Sequence, residues 1–296
     1  MTEQGVVLQG TGGVWSVRTS DGATREVSLR GRLKISADKL AVGDEVILED
    51  AGGAWTIAEI LPRRSVLARR SPSGAYGERI VAANVDQVIV VFAAANPEPH
   101  PRMLDRFLVI AESNGLQAHI VVNKVDLVDA AAARARFADY PLAGYPIHYT
   151  STVTRVGLDE LAAALKGRTS ALSGPSGVGK SSLLNALYPG LNLRVGEISQ
   201  SVNKGRHTTV GALLHPLPDG GYVADTPGLR EVGIWGLSAD ALDRCFPEFV
   251  AHLGHCRFAD CHHVVEPDCA VRAAIAAGEL SANRYDSYVR LRHELQ

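Results

Sequence analysis

The sequence predicts an α/β domain of the phosphate-loop type, carried between an N-terminal β-barrel and a small metal-binding helical module. Three observations predict it. Gly174-Pro175-Ser176-Gly177-Val178-Gly179-Lys180-Ser181 fits G-x-x-x-x-G-K-[ST], with a strand-like run at Thr169, Ala171 and Leu172 before it and a helix-like run from Ser182 to Leu187 after it. From Val85 onward, strand-length apolar runs alternate with segments of helical spacing, the pattern of a parallel sheet covered on both faces. Ahead of this lie short β-like segments broken by Gly and Asp, and behind it Cys256, Cys261, His263 and Cys269 crowd into one short stretch.

The barrel is expected over residues 1–70, with an OB-fold as the leading arrangement. Gly5–Leu8, Val14–Thr19, Thr24–Leu29, Glu45–Glu49 and Trp55–Ile60 read as strands, and Ser20-Asp21-Gly22, Val42-Gly43-Asp44 and Ala51-Gly52-Gly53 read as turns. Trp15 and Trp55 with Arg30, Arg32 and Lys34 offer stacking plus positive charge to a nucleic acid, or alternatively a core and a solvated rim. Residues 71–84 are expected to be a basic linker. The stretch from Leu61 carries Arg63, Arg64, Arg69, Arg70 and Arg79 against Glu78, and Pro62, Pro72, Gly74 and Gly77 exclude a helix.

The nucleotide-binding domain is expected over 85–236. Val88–Phe92 reads as a strand buried on both faces, and Pro101–Ser113 as a helix closed by Gly115. Ile120–Val122 and Ile147–Tyr149 are further strands, separated by a helix around Ala130–Ala138 and followed by one at Leu158–Leu165. Residues 237–296 are expected to form the metal-binding module, with helices at Ala270–Ala277 and Arg284–Leu295.

Composition narrows the setting. A chain of 296 residues suggests two or three domains, and 46% hydrophobic residues allow real cores. No apolar run is long enough to span a membrane, and the N-terminus lacks a secretory pattern. The net charge of -2 exerts no global pull on polyanions, so such a partner must be met by local patches. Clustered rather than paired cysteines suit metal binding in a reducing cytoplasm.

The chemistry-bearing motifs follow from hydrogen-bond logic. In the phosphate loop, successive backbone N–H groups converge on phosphate oxygens, Lys180 reaches the β and γ phosphates, and the Ser181 hydroxyl, followed by Ser182, meets Mg²⁺. Asn123-Lys124-Val125-Asp126 matches N-K-x-D. The Asp126 carboxylate can accept from N1–H and the exocyclic amine of guanine, whereas adenine presents an acceptor at N1, so the motif argues for GTP over ATP. Ser151-Thr152, followed by Gly157-Leu158, resembles a second base-contacting loop with Thr152 where Ala is usual. Asp225-Thr226-Pro227-Gly228 matches D-x-x-G behind an apolar strand, with Asp225 on Mg²⁺ and Gly228 sensing the γ-phosphate; Asp50-Ala51-Gly52-Gly53 matches too and is read as a barrel turn. Thr208 or Thr209, beside His207, supplies the switch hydroxyl for Mg²⁺. Cys256, Cys261, His263 and Cys269 provide a closed zinc shell, hence a structural ion; His252, His255 and His262 rank below them, and Cys245 lies outside.

The order of these motifs is itself informative. N-K-x-D comes first, then the Ser-Thr loop, the phosphate loop, the G-x-H-T-T stretch and D-T-P-G. An ordinary small GTPase begins with the phosphate loop, so this is a circular permutation. With the barrel before and the Cys/His cluster behind, the whole chain closely resembles the RsgA (YjeQ/YloQ) family of ribosome small-subunit-dependent GTPases. The resemblance implies GTP hydrolysis during late maturation of the small (30S) ribosomal subunit, contact with its rRNA in the GTP state, and release on hydrolysis. It also implies GTP/GDP, Mg²⁺ and one zinc ion as ligands, and a cytoplasmic monomer away from any membrane. Two alternatives are a GTP-sensing RNA-binding protein without catalysis and a GTP-dependent RNA-modifying enzyme.

Leu229 stands just after D-x-x-G, where many GTPases carry the Gln that orients water. A leucine cannot hydrogen-bond water, so slow intrinsic hydrolysis is expected, with His207 or a partner completing the site.

Overall fold

The computed structural model describes residues 1–30, 40–70, 78–193, 212–225 and 237–296, with the backbone path alone for Arg69, Arg70, Glu78, Arg79 and Asp225. Five strands, β1 (Thr2–Thr11), β2 (Val14–Thr19), β3 (Thr24–Leu29), β4 (Glu45–Asp50) and β5 (Trp55–Ile60), close into a barrel in the order β1-β2-β3-β5-β4. The β3–β5 pairing is parallel and the others are antiparallel, as an OB-fold requires. Alternation places Val7, Val17, Val27, Val46, Leu48 and Ile57 inside, with Trp15 and Trp55 half-buried against this core. The Arg25 guanidinium lies 4.5 Å from the centre of the Trp55 ring. Asp50-Ala51-Gly52-Gly53 is indeed the β4–β5 turn, with Gly53 N–H donating to the Asp50 carboxylate at 2.7 Å.

The expected basic linker needs correction. β6 (Val66–Arg70) and β7 (Glu78–Ala83) pair as an antiparallel two-stranded sheet. Leu67 and Ala82 are fully buried against the neighbouring core, so burial outweighs the flanking charge. Nor are the first two arginines free cations. Arg63 is bidentate on the buried Asp44 carboxylate at 2.6 and 2.9 Å, and Arg64 meets Asp86 at 2.8 Å. Their acidic partners are remote in sequence, which local charge counting cannot reveal.

The central sheet runs β10-β9-β8-β11-β13-β12, comprising β8 (Gln87–Ala93), β9 (Gln117–Asn123), β10 (Ile147–Tyr149), β11 (Thr169–Ser173), β12 (Leu213–Pro216) and β13 (Tyr222–Asp225). All neighbours are parallel except β12, which closes the β13 edge antiparallel and was not expected from sequence. Successive side chains of β8 serve opposite faces. Val88, Val90 and Phe92 pack beneath α1 (Pro101–Ser113), α2 (Ala130–Arg136) and α3 (Asp139–Leu142), whereas Ile89, Val91 and Ala93 pack against α4 (Leu158–Leu165) and α5 (Lys180–Leu187).

The C-terminal module begins with short 3₁₀ turns between Ala239 and His252 and continues through α6 (Ala270–Ala276) to α7 (Ala282–Leu295). Its core of Leu242, Phe246, Phe249, Val271, Tyr288 and Leu291 takes in Val109 from α1, so the module packs directly on the nucleotide domain. The barrel reaches that domain elsewhere, where Leu8 and Val42 pack on Leu214 and Ala224 of β12 and β13.

Candidate nucleotide and metal sites

Because β8, β9, β10, β11 and β13 run parallel, the chain leaves all of them at one edge of the sheet. Register aligns Ala93 with Asn123, Val122 with Tyr149, and Leu172 with Asp225. That edge is where an open α/β sheet receives ligands.

Two glycines shape the phosphate loop. Gly174 has φ of +125°, and a Cβ there would stand 2.1 Å from the Val91 carbonyl oxygen; Gly179 caps α5 at φ +94°, and its Cβ would stand 2.6 Å from the Asn123 amide nitrogen. The missing side chain at Gly179 therefore makes room for the other motif. Val178 is buried in the core and pins the loop, Gly177 and Ser176 are exposed, and Pro175 is half-buried. Lys180 and Ser181, in the first turn of α5, are buried, and Ser182 is half-buried beside them. Lys180 Nζ donates to the carbonyls of Gly174 at 2.7 Å and Pro175 at 2.6 Å, which holds its cation at the loop.

The N-K-x-D residues are tied to this loop by direct hydrogen bonds. Buried Asn123 donates from Nδ2 to the Val178 carbonyl at 2.9 Å and accepts from Thr150 Oγ1 at 3.2 Å. Lys124, left-handed at φ +61°, donates to the carbonyls of Gly177 at 2.7 Å and of Asn96. Asp126 follows in a single 3₁₀ turn, where its carboxylate accepts from Ser151 Oγ. Ser151 Oγ in turn accepts from the backbone N–H groups of Val153 at 3.2 Å and Thr154 at 3.1 Å, and half-buried Thr152 lies within that turn. The structure thus brings Asn123, Lys124, Asp126, Ser151 and the phosphate loop into one cradle. Asn96 belongs to it as well, a carbonyl acceptor that no side-chain pattern could signal. Asp225 ends β13 at the same edge. His207, Thr208, Thr209, Gly228 and Leu229 lie outside the described residues, as do Arg32 and Lys34.

A profile of the RsgA GTPase family matches residues 60–235. The chain is 64% identical to the small ribosomal subunit biogenesis GTPase RsgA of Gemmatimonas aurantiaca, across 98% of this chain and 97% of that one. The chain belongs to the RsgA GTPase family. Solved structures carry the same architecture. YjeQ from Thermotoga maritima superposes with a TM-score of 0.84 at 37% identity, over 100% of this chain and 99% of that one. YloQ, described as a circularly permuted GTPase, gives 0.79 at 29% identity over 100% and 95%. Membership in the RsgA family makes this chain a GTPase with GTP and GDP as its nucleotides and Mg²⁺ as its metal.

A second site lies in the C-terminal module, where one ligand atom each from Cys256, Cys261, His263 and Cys269 falls within 4.8 Å of the others. Cys256 Sγ and Cys269 Sγ are 3.9 Å apart, and His263 Nδ1 lies 3.5 and 3.4 Å from them. Tetrahedral zinc with ordinary Zn–S and Zn–N bonds demands about 3.8 Å between sulfurs and about 3.6 Å from nitrogen to sulfur, so the donor set fits that ion. The far ring nitrogen, Nε2, is 3.6 Å from the Asp243 carboxylate, the outer partner that orients a metal-binding imidazole. Further fixation comes from Tyr285, which donates to the His263 carbonyl at 2.7 Å, and from Glu266, which accepts from the N–H groups of His262, Val264 and Val265, each at 3.0 Å. Burial raises the Glu266 pKa, but its own backbone N–H together with those three donors outweighs it and holds the carboxyl down at about 2. Cys245 stands apart in the apolar core, where desolvation pushes its thiol up to about 12 and leaves it inert.

Proposed function

We propose that this protein hydrolyses GTP as a switch in late maturation of the small ribosomal subunit, gripping the subunit and its rRNA with GTP bound and leaving after hydrolysis. The observation that carries the nucleotide reading is the pair of hydrogen bonds from Asn123 and Lys124 into the phosphate loop, which join base reader and phosphate cradle in permuted order. The subunit reading rests on the relatives named small ribosomal subunit biogenesis GTPase. We place the protein in the cytoplasm as a monomer; no described helix is long and apolar enough to cross a membrane.

In this reading Asp126 accepts from the guanine edge while Ser151 holds its carboxylate in line, and Thr152 borders the base. The backbone N–H groups from Gly174 to Ser182 surround the phosphates, and the Lys180 ammonium, poised at the loop, takes up the charge on the β and γ oxygens. Ser181 and Asp225, with Thr208 or Thr209, would hold Mg²⁺, which would supply charge neutralisation at those oxygens. Gly228 senses the γ-phosphate through its N–H. Leu229 offers no hydrogen bond to water, so His207 or a group from the ribosome orients the nucleophile. Cys256, Cys261, His263 and Cys269 hold a structural zinc ion that closes the C-terminal module.

The test is GTP turnover alone and with purified small subunits, large subunits or bare RNA. Stimulation confined to small subunits is expected, and equal rates under all conditions would remove the subunit reading. Lys180→Ala should lower turnover by about 10²- to 10³-fold. His207→Ala should abolish the stimulated rate while leaving GTP affinity in place; unchanged stimulation excludes His207 from the mechanism.

A further inference from the structure

Helix α1 lies between the nucleotide cradle and the C-terminal module. Its leading loop reaches the nucleotide cradle: Ala94 N–H donates to the Asn123 carbonyl at 2.7 Å, the Asn96 carbonyl accepts from Lys124 Nζ, and a Cβ on Gly177 would stand 3.8 Å from Pro97 Cδ. Glu98 pairs with Arg136 of α2 at 2.6 Å and steadies that loop. The body of α1 is clamped by the C-terminal module. Arg284 of α7, only 2% exposed, donates to Asp105 of α1 at 2.7 Å and grips Glu248 with two further bonds at 2.7 and 3.0 Å. Its guanidinium lies 4.8 Å from the ring centre of Phe246, 5.5 Å from Tyr140 and 5.4 Å from Tyr145, so aromatic faces from both domains enclose one cation. Asp286 meets Arg102 at 3.1 Å, Glu294 meets Arg106, and Val109 is buried in the module core.

We propose that α1 is a rigid link through which the C-terminal module sets the geometry of the nucleotide cradle, with Asp105 and Arg284 as positioning residues acting on Lys124 and the phosphate loop. The physical ground is that a helix transmits displacement along its length, and a buried charge cluster permits little slack. Removing Arg284 strands the Asp105 and Glu248 carboxylates in an apolar interface, which must open to admit water. Opening shifts α1, and the loop from Ala94 to His100 carries that shift to the Asn96 carbonyl that holds Lys124. Linkage then demands the reverse effect: a nucleotide that fixes the loop tightens the interface.

This inference rests on the reading of the cradle as the GTP site, and the experiment separates the two. The affinity of a fluorescent GDP analogue is measured for the full-length wild type, Lys180→Ala, Arg284→Met, Arg284→Lys and Asp105→Asn, each checked for zinc content and folding. Amide exchange across residues 282–295 is followed with and without GDP. Lys180→Ala should lose binding; if it does not, the cradle itself is misread. Arg284→Met, folded and zinc-loaded, should bind about five- to thirtyfold more weakly, with Arg284→Lys recovering part of the loss, and GDP should slow exchange in α7 of the wild type. A merely structural role lowers the melting temperature and moves neither quantity. Unchanged affinity in folded Arg284→Met overturns the inference. Should that variant fail to fold, equal α7 exchange with and without GDP in the wild type overturns it instead.

Discussion

The two sides of the nucleotide domain are attached to their neighbours by different physics. On the base-reading side, α1 meets the C-terminal module through the buried Asp105–Arg284–Glu248 cluster, two peripheral ion pairs and three aromatic rings. On the side where β12 and β13 lead to and from the motifs expected to sense the γ-phosphate, the barrel rests on Leu8, Val42, Leu214 and Ala224, with Val6, Ala212 and Tyr222 around them. A charge cluster has one good geometry and a steep penalty for leaving it. An apolar contact has no directional requirement, so small sliding loses little. The contrast sets a charge-clamped, firm α1 side against an apolar contact at β12 and β13, although the barrel is also tied to the end of β7 by two directional bonds, Ala83 N–H to the Val42 carbonyl at 2.8 Å and Asn84 Nδ2 to the Gly43 carbonyl at 3.0 Å.

The largest effect is expected at the metal cluster. Cys269→Ser should release zinc and unfold residues 237–296, seen as lost metal and new protease sensitivity, since structural zinc sites contribute on the order of 10 kcal/mol of folding free energy. If the module stays protected, the ion pairs to α1 suffice without metal and the firm side is firmer than supposed. Next, Arg284→Met should destabilise by about 3–5 kcal/mol in denaturant unfolding, because two buried carboxylates lose their cation. Leu214→Ala, at the barrel contact, should lose only about 2 kcal/mol and leave GDP affinity unchanged. A larger loss at Leu214 than at Arg284 would invert the comparison.

The smallest effect is a pH dependence on the firm side. His119 of β9 stacks on His148 of β10, with Nδ1 and Nε2 3.1 Å apart and ring planes within 8°. Desolvation first, then His148 and Arg168, lower the His119 pKa to about 4. The unfolded chain takes up this proton near pH 6.5 and the folded chain does not, so stability is constant above that value and declines as pH falls towards 4. His119→Leu should flatten that decline in melting temperature between pH 7 and pH 5; an unchanged slope removes the pair as its source.

Much of the site was legible because its chemistry is local in sequence. A phosphate loop needs glycines and Lys-Ser in consecutive order, N-K-x-D occupies four adjacent residues, and the zinc ligands fall within fourteen positions, so spacing alone exposes each. The period-3.6 pattern likewise anticipated α1 and α4 over their observed spans. The β6–β7 pair was hidden in a stretch that reads as uniformly basic, although its leading Arg63 and Arg64 find Asp44 and Asp86, 19 and 22 residues away. β12 has four residues and ends in Pro216, too little for a periodic signal. Arg284 reads in sequence as one more cation on a polar helix, although it is among the most buried side chains in the molecule.

What the sequence by itself determined is the chemical inventory and its order: a permuted set of GTP-binding motifs, a barrel before it and a thiolate-imidazole cluster behind. The tertiary structure alone decided which inventory elements touch. It brought Asn123 and Lys124 onto the phosphate loop, made the Asn96 carbonyl part of the cradle, and enclosed Arg284 between two domains. The reason is that motifs arise from neighbouring residues, whereas burial, ion pairing and the approach of backbone carbonyls depend on where distant segments meet.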